Sequence, residues 1–430
     1  MNNLKLTNGF IVAAQEVKKS DMIIRDGLID MSGVELSCDK NVNLEGKYII
    51  PGFVDIHFHG YNFFDFTFGQ YHSETGTFDD SESAYTSGFE RLRTTLPAFG
   101  VTGFYVATEA ASVKTLRNCY HNLKKHLGEK REPVGARLLG SLLEGTFISP
   151  DMSGAMNLDY IFKVSPEAFE SIHGGGSIKL ANVVPDFGAK SVDLTKYLTG
   201  KGVIVGAGHT NATGDQVADS VKAGLKYCIH FTNGPTGGSY KPFNGGGAIE
   251  AVLKNDELYA ELIADGYHVN PAYVRDIIER KGFDKIIGIS DCVCVAGTEL
   301  KNFEFGGIRG RVSDDGNYIA LADNSGALYG SNLTMNKAFE NILNWLTSQM
   351  EGIWYRNHEP LTFQNALLGA VKMFSANPCK LMGLSADGVG TLEDKVRADL
   401  SVLDIKGADG HYKVEVDMTI VEGNIVYSKG

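Results

Sequence analysis

The sequence predicts an α/β protein, a TIM-like (β/α)8 barrel with a small β-sandwich module formed from both chain termini. Three observations predict it. Short apolar runs recur eight times between residues 53 and 291, and helix-patterned segments separate them. The two ends of the 430-residue chain instead show alternating strands around tight turns.

Residues 3 to 49 contain LKLTNGFIVA and SDMIIRDGLIDMSG, punctuated by Asn8-Gly9 and Asp26-Gly27. The C-terminal part supplies ADLSVLDI and VEVDMTIVEGNIVYSKG around Glu422-Gly423-Asn424, so the two ends are expected to pair as one β module over 1–50 plus 385–430. The barrel is expected over 51–384. Its strands are FVDIHFH (53–59), VTGFYVAT (101–108), ARLLGSLLEG (136–145), SIKLANVVP (177–185), GVIVGAGH (202–209), LKYCIHF (225–231), YAELIADG (259–266) and KIIGISD (285–291). Helices are expected in ESAYTSGFERLRTTLPAF, VKTLRNCYHNLKKHL, GDQVADSVKAG and VNPAYVRDIIERKG, and beyond the last strand in SNLTMNKAFENILNWLTSQM and LTFQNALLGAVKMFSA.

Composition bounds the function. With 43% hydrophobic and 21% charged residues the chain reads as an ordinary globular protein, and no apolar stretch is long enough to span a membrane. MNNLKLTNGF has neither the basic start nor the apolar core of a secretory signal, so a cytoplasmic location is expected. Cys38, Cys119, Cys228, Cys292, Cys294 and Cys379 are scattered without a CxxC spacing, which fits reduced thiols. A net charge of −12 and the absence of a basic run argue against nucleic acid and leave a small molecule as the expected partner.

In such barrels chemistry gathers at the C-terminal strand ends. PGFVDIHFHG (51–60) ends its strand in His57 and His59, which the two-residue period turns to one face together with Asp55. The third run ends at Glu144, the fifth at His209, the sixth at His230, the seventh just before His268 and the eighth at Asp291. Buried imidazoles and carboxylates need partners, and a divalent cation such as zinc, iron, manganese or cobalt suits this donor set.

The motifs PGFVDIHFHG, LLEGTFISP, GAGHTNAT, HFTNGP, IADGYHV, ISDCVCVAG, GALYGSNLTM, SANPCKLMGL and GVGTLEDKVRADLSVLD span the chain from end to end. By them the sequence resembles the N-acetylglucosamine-6-phosphate deacetylase family of the amidohydrolase superfamily. The resemblance implies that Glu144, His209 and His230 hold the main metal and that His57 and His59 form or help form a second site, giving one or two ions per chain, with zinc preferred. It implies Asp291 as general base and acid, and His268 as the group that polarises the scissile carbonyl or holds substrate. Asn233 and Gly234 match the segment that contacts the sugar phosphate, and Lys241 stands where the family has a phosphate-binding arginine. A homodimer is also implied. The implied reaction hydrolyses the acetamide of an amino-sugar phosphate, releasing acetate.

The departures are local. HLEGPF appears as LLEGTF, with Leu143 and Thr146 in place of histidine and proline, and the family's GAH appears as Gly154-Ala155-Met156. A thioether is no substitute for an imidazole donor. FGQYHSETGTFDDSESA (68–84) reads as a lengthened loop in which His72 is solvated. These features keep open an amidohydrolase acting on another N-acetylated amino sugar, phosphorylated or not, or on another N-acyl amine. A catalytically silent sugar-phosphate-binding protein on the same scaffold is a third reading, and retention of Asp291 with the full ligand set weighs against it. Cys292 and Cys294 follow the aspartate closely and are read as packing residues.

Overall fold

The computed structural model describes residues 3–32, 38–127, 134–234, 243–354 and 357–430. Its centre is a parallel sheet of eight strands in chain order: β1 (Phe53–Phe58), β2 (Val101–Ala107), β3 (Arg137–Leu143), β4 (Ile178–Asn182), β5 (Ile204–Ala207), β6 (Leu225–Cys228), β7 (Tyr259–Ile263) and β8 (Ile286–Ile289). Every residue of β1, β2 and β8 is buried, the reason these segments read as apolar runs, interrupted by charged or imidazole side chains only at Asp55 and His57 of β1. The sheet closes just beyond its last strand. Asp291 N donates to His57 O at 3.0 Å, Phe58 and Cys292 form a parallel bridge, and Ser290 Oγ donates to Asp55 Oδ2 at 2.5 Å. Asp55 therefore fastens β1 to β8.

The helices between strands start where the sequence supplies caps. Ser81 accepts from Ala84 N ahead of Glu82–Thr95, Ser112 from Thr115 N ahead of Val113–His126, and Thr213 forms a capping box with Gln216 ahead of Gly214–Ala223.

The chain ends build one eight-stranded sheet, as the turn signals predicted. Leu400–Lys406 pairs antiparallel with Tyr48–Pro51, joining the C-terminal strands Lys413–Val421 and Asn424–Ser428 to the N-terminal strands Leu4–Val12 and Val17–Arg25. Leu6, Ile24, Ile49, Leu400, Val402 and Ile420 form its own apolar cluster.

Two antiparallel additions differ from expectation. Residues 68–84 are not a plain loop: Gly69–His72 and Thr77–Asp79 pair as a hairpin within a four-stranded sheet, followed directly by the Ser81 cap. His72 at its turn is exposed. A second four-stranded sheet, Asn302–Phe305, Ile308–Val312, Ile319–Leu321 and Asn324–Leu328, follows β8 and was not read from the sequence. Its signal was present, since Gly306-Gly307 separates two alternating runs and both glycines have positive φ, 57° and 84°. Tyr71 and Phe78 of the first addition pack on Phe305 of the second at centroid distances of 4.8 and 5.1 Å.

Candidate active site

His57 lies within β1, His59 and Glu144 come one residue after a strand, and His209, His230 and Asp291 come two residues after one. His209, His230 and Asp291 have left-handed backbones, with φ of 54°, 29° and 51°. Such conformations are costly for residues with a Cβ and gather at functional sites. Here they turn each side chain inward as its strand stops.

Glu144 is the hub. Its Oε1 lies 2.8 Å from His230 Nε2 and 3.4 Å from His209 Nε2, and its Oε2 lies 2.9 Å from His57 Nε2 and 3.2 Å from His59 Nε2. Asp291 Oδ1 is 3.2 Å from His59 Nε2 and 3.4 Å from His57 Nε2. The two Nε2 atoms of His57 and His59 are only 3.3 Å apart. Two groups, His57–Glu144–His230 and His57–His59–Asp291, each bring their ligand atoms within 4.8 Å of one another. His209 stands at the margin, its ring 4.9 Å from that of His230.

A second layer orients the rings. His57 Nδ1 donates to Glu261 Oε2 at 3.1 Å, and the same oxygen accepts from His230 N at 3.1 Å. His209 Nδ1 donates to Met152 O at 2.8 Å. These bonds leave the Nε2 lone pairs of the neutral rings facing the centre, the arrangement a metal ion requires. Convergent, buried nitrogen and oxygen donors of this kind fit a divalent cation.

Without such an ion the charges compensate one another. Burial works against protonation of His59, yet Asp291 and Glu144 bring its pKa up to about 10, and His57 is likewise raised well above its usual value against the cost of burial. Burial also opposes ionisation of Glu144, but the histidines, His57 foremost, hold it well below the carboxylate range; Asp291 is lowered against burial by His57 and His59.

A cavity of about 670 Å³ opens over this cluster. Asn233, Tyr267 and His268 line it, as do Tyr318 and Tyr329 around the second addition, and Met156. His268 Nδ1 donates to Asp265 Oδ2 at 2.6 Å, and Asn233 Nδ2 donates to His268 O at 2.8 Å. Gly234 N donates to His230 O at 2.8 Å, keeping that turn beside the ligand set. Lys241 lies outside the described residues. Met156 is buried and its Sδ accepts from Ala110 N at 3.3 Å, while Leu143 is fully buried and the Thr146 hydroxyl is buried without a hydrogen-bond partner. Burial pushes the thiols of Cys292 and Cys294 well above their usual range, in keeping with packing.

Sequence reasoning missed Glu109, Glu261 and Asp265. Glu109 sits one residue past the VTGFYVAT run, Glu261 is the one charge in the strand YAELI, and Asp265 follows two residues after that strand; each was a strand-associated acid in an apolar setting. Asp55, expected on the face of His57 and His59, accepts from Ser290 Oγ at 2.5 Å and from His57 N at 3.2 Å.

The model of the amidohydrolase family matches residues 48–426. The chain belongs to that family. The N-acetylglucosamine-6-phosphate deacetylase of Bacillus subtilis (strain 168) is 28% identical, covering 97% of this chain and 95% of its own. The N-acetylgalactosamine-6-phosphate deacetylase of Escherichia coli O157:H7 is 25% identical over 84% of each chain. A solved structure of a variant of the Mycobacterium smegmatis N-acetyl-D-glucosamine-6-phosphate deacetylase covers 100% of both chains at a TM-score of 0.80 and 21% identity, a likeness of fold. The barrel with its terminal β sheet is thus the amidohydrolase fold, and the strand-end cluster is this amidohydrolase's candidate metal centre.

Proposed function

We propose that this amidohydrolase deacetylates N-acetylglucosamine 6-phosphate, giving glucosamine 6-phosphate and acetate. One observation carries the reading: Glu144 meets four imidazoles at 2.8–3.4 Å on the floor of the cavity, with the Asp291 carboxylate 3.2 Å from the nearest of them. The relatives named above support the substrate class.

Glu144, His209 and His230 would hold the principal divalent ion, and His57 and His59, with Asp291 adjacent, would form the second position; zinc would be the preferred occupant, with iron, manganese or cobalt as alternatives and one or two ions per chain. When bound, such an ion polarises the amide carbonyl and lowers the pKa of water toward neutrality. Asp291 accepts the proton of the attacking water and passes it to the departing nitrogen, acting first as base and then as acid. His268, fixed by Asp265, faces the carbonyl or holds the sugar, and its imidazole is oriented before substrate arrives. Asn233, Gly234 and Lys241 take the phosphate end.

The test is acetate release by metal-replete protein over N-acetylated hexosamines with and without a 6-phosphate. Turnover confined to N-acetylglucosamine 6-phosphate is expected; release from none of them would refute the reading. A preference for the galactosamine isomer would favour a second reading, another N-acetylhexosamine phosphate, which the Met156 wall motivates. The same proposal makes the enzyme a cytoplasmic homodimer, to be checked by sedimentation and cell fractionation. Among the described residues no helix is long and apolar enough to cross a membrane.

A further inference from the structure

One carboxylate on the cavity wall has no part in the cluster described above. Glu109 lies two residues past the end of β2, is 6% exposed and lines the cavity. Its position is rigid. Its N–H donates to Thr67 Oγ1 at 2.8 Å, and the adjacent Thr108 is tied to Glu144 by reciprocal hydrogen bonds of 3.0 Å. The Tyr329 hydroxyl donates to Glu109 Oε2 at 2.8 Å, and the Tyr329 ring is itself fixed edge-on against Phe303 at 5.2 Å. Oε1 is buried and has no hydrogen-bond partner in the protein.

A carboxyl oxygen held out of water without a partner is destabilising. Metal binding does not account for it, because Glu109 belongs to neither group of converging ligands among the described residues. Neighbouring Met156 offers nothing polar in exchange, since its sulfur already accepts from Ala110 N and a thioether has no proton to give. A fixed carboxyl group that lines a binding cavity with one oxygen unpaired is what a site looks like when the missing partner belongs to the ligand.

We propose that Glu109 is the specificity-determining residue of this chain, its Oε1 exchanging a hydrogen bond with a ring hydroxyl of the bound N-acetylated amino sugar while Tyr329 holds the carboxyl in place. The inference rests on the amino-sugar reading and narrows it. Ring hydroxyls are the natural partners such a substrate brings to a carboxyl group.

The experiment compares kcat/KM for N-acetylglucosamine 6-phosphate and its 3-deoxy and 4-deoxy analogues in wild type, Glu109→Leu, Glu109→Gln and Tyr329→Phe, with metal content and Tm measured on each. Wild type is expected to lose roughly 10- to 100-fold on one deoxy analogue. Glu109→Leu should lose about as much on the parent sugar yet match wild type on that same analogue, because the hydroxyl and its partner are then both absent. Tyr329→Phe should show the same pattern more weakly. If Glu109→Leu does not fold, Glu109→Met decides by the same comparison, and Glu109→Gln, which keeps a hydrogen-bonding oxygen, should lose less than either. An equal loss on every sugar, or no loss on any, would overturn the assignment and leave the deacetylase reading standing. Wild type that releases acetate from none of these sugars would overturn both.

Discussion

Replacing Glu261 tests how the second layer of the metal centre works. The side chain is fully buried and its Oε2 accepts from His57 Nδ1 and His230 N, each at 3.1 Å. Glu261→Gln keeps the volume and an acceptor oxygen but removes the charge, and a neutral acceptor is roughly half as strong as a carboxylate. Outer partners of metal-bound histidines are worth roughly 10- to 100-fold in metal affinity, and the Gln variant should fall at the lower end of that range. Glu261→Leu leaves two buried N–H donors without an acceptor, at about 1–3 kcal/mol each, so its apoprotein should be destabilised by about 2–6 kcal/mol. Zinc affinity is read by chelator competition and apoprotein stability by urea unfolding. A Gln variant that binds zinc as tightly as wild type, together with a Leu variant of unchanged stability, would refute the claim that Glu261 orients His57.

Asp291→Asn should retain metal and fold but lose roughly 10²- to 10⁴-fold in kcat, since the amide accepts no proton; a loss below tenfold in a metal-replete, folded variant would assign the proton transfer elsewhere. Lys241→Ala should raise KM for a 6-phosphorylated substrate by roughly tenfold or more and barely affect the unphosphorylated sugar, and equal weakening of both would remove Lys241 from phosphate recognition. Lys281 gives a pH signature. Its Nζ donates to Val252 O and Asn255 O at 3.1 and 2.5 Å, and burial pushes its pKa down to about 8. Because the folded pKa lies below the unfolded value of about 10.4, the folded state is penalised below pH 8, and this penalty is relieved as pH rises from about 8 to 10.4. Thermal melts across that window should therefore favour wild type over Lys281→Met increasingly with pH, and parallel profiles would contradict it.

The eight barrel strands were legible because strands buried on both faces along most of their length are mostly apolar, so each stood out from the amphipathic helices around it. The same physics exposed most of the site. A histidine or acid closing an apolar run is conspicuous, and His57, His59, Glu144, His209, His230 and Asp291 were all found that way. The pairing of the chain ends was legible from turn residues and alternation. The addition at 302–328 was not read despite its Gly306-Gly307 signal, and 68–84 was taken for a loop, because short strands covered on one face by another insertion look like polar surface.

Tertiary structure alone decided who meets whom. His57 reaches Glu144 across 87 residues, His230 reaches it across 86, and His57 reaches Glu261 across 204, and no local pattern records distances set by closure of a barrel. Closure also brought Ser290 to Asp55, a partner that strand alternation could not foresee. Glu109 shows the difference most directly. In sequence it is one acid after a strand; its unpaired oxygen, its Tyr329 partner 220 residues away and its place on the cavity wall exist only once the insertion after the eighth strand folds back over the barrel mouth. Residue type and strand register are local properties of a chain, whereas convergence of side chains is a property of the packed whole.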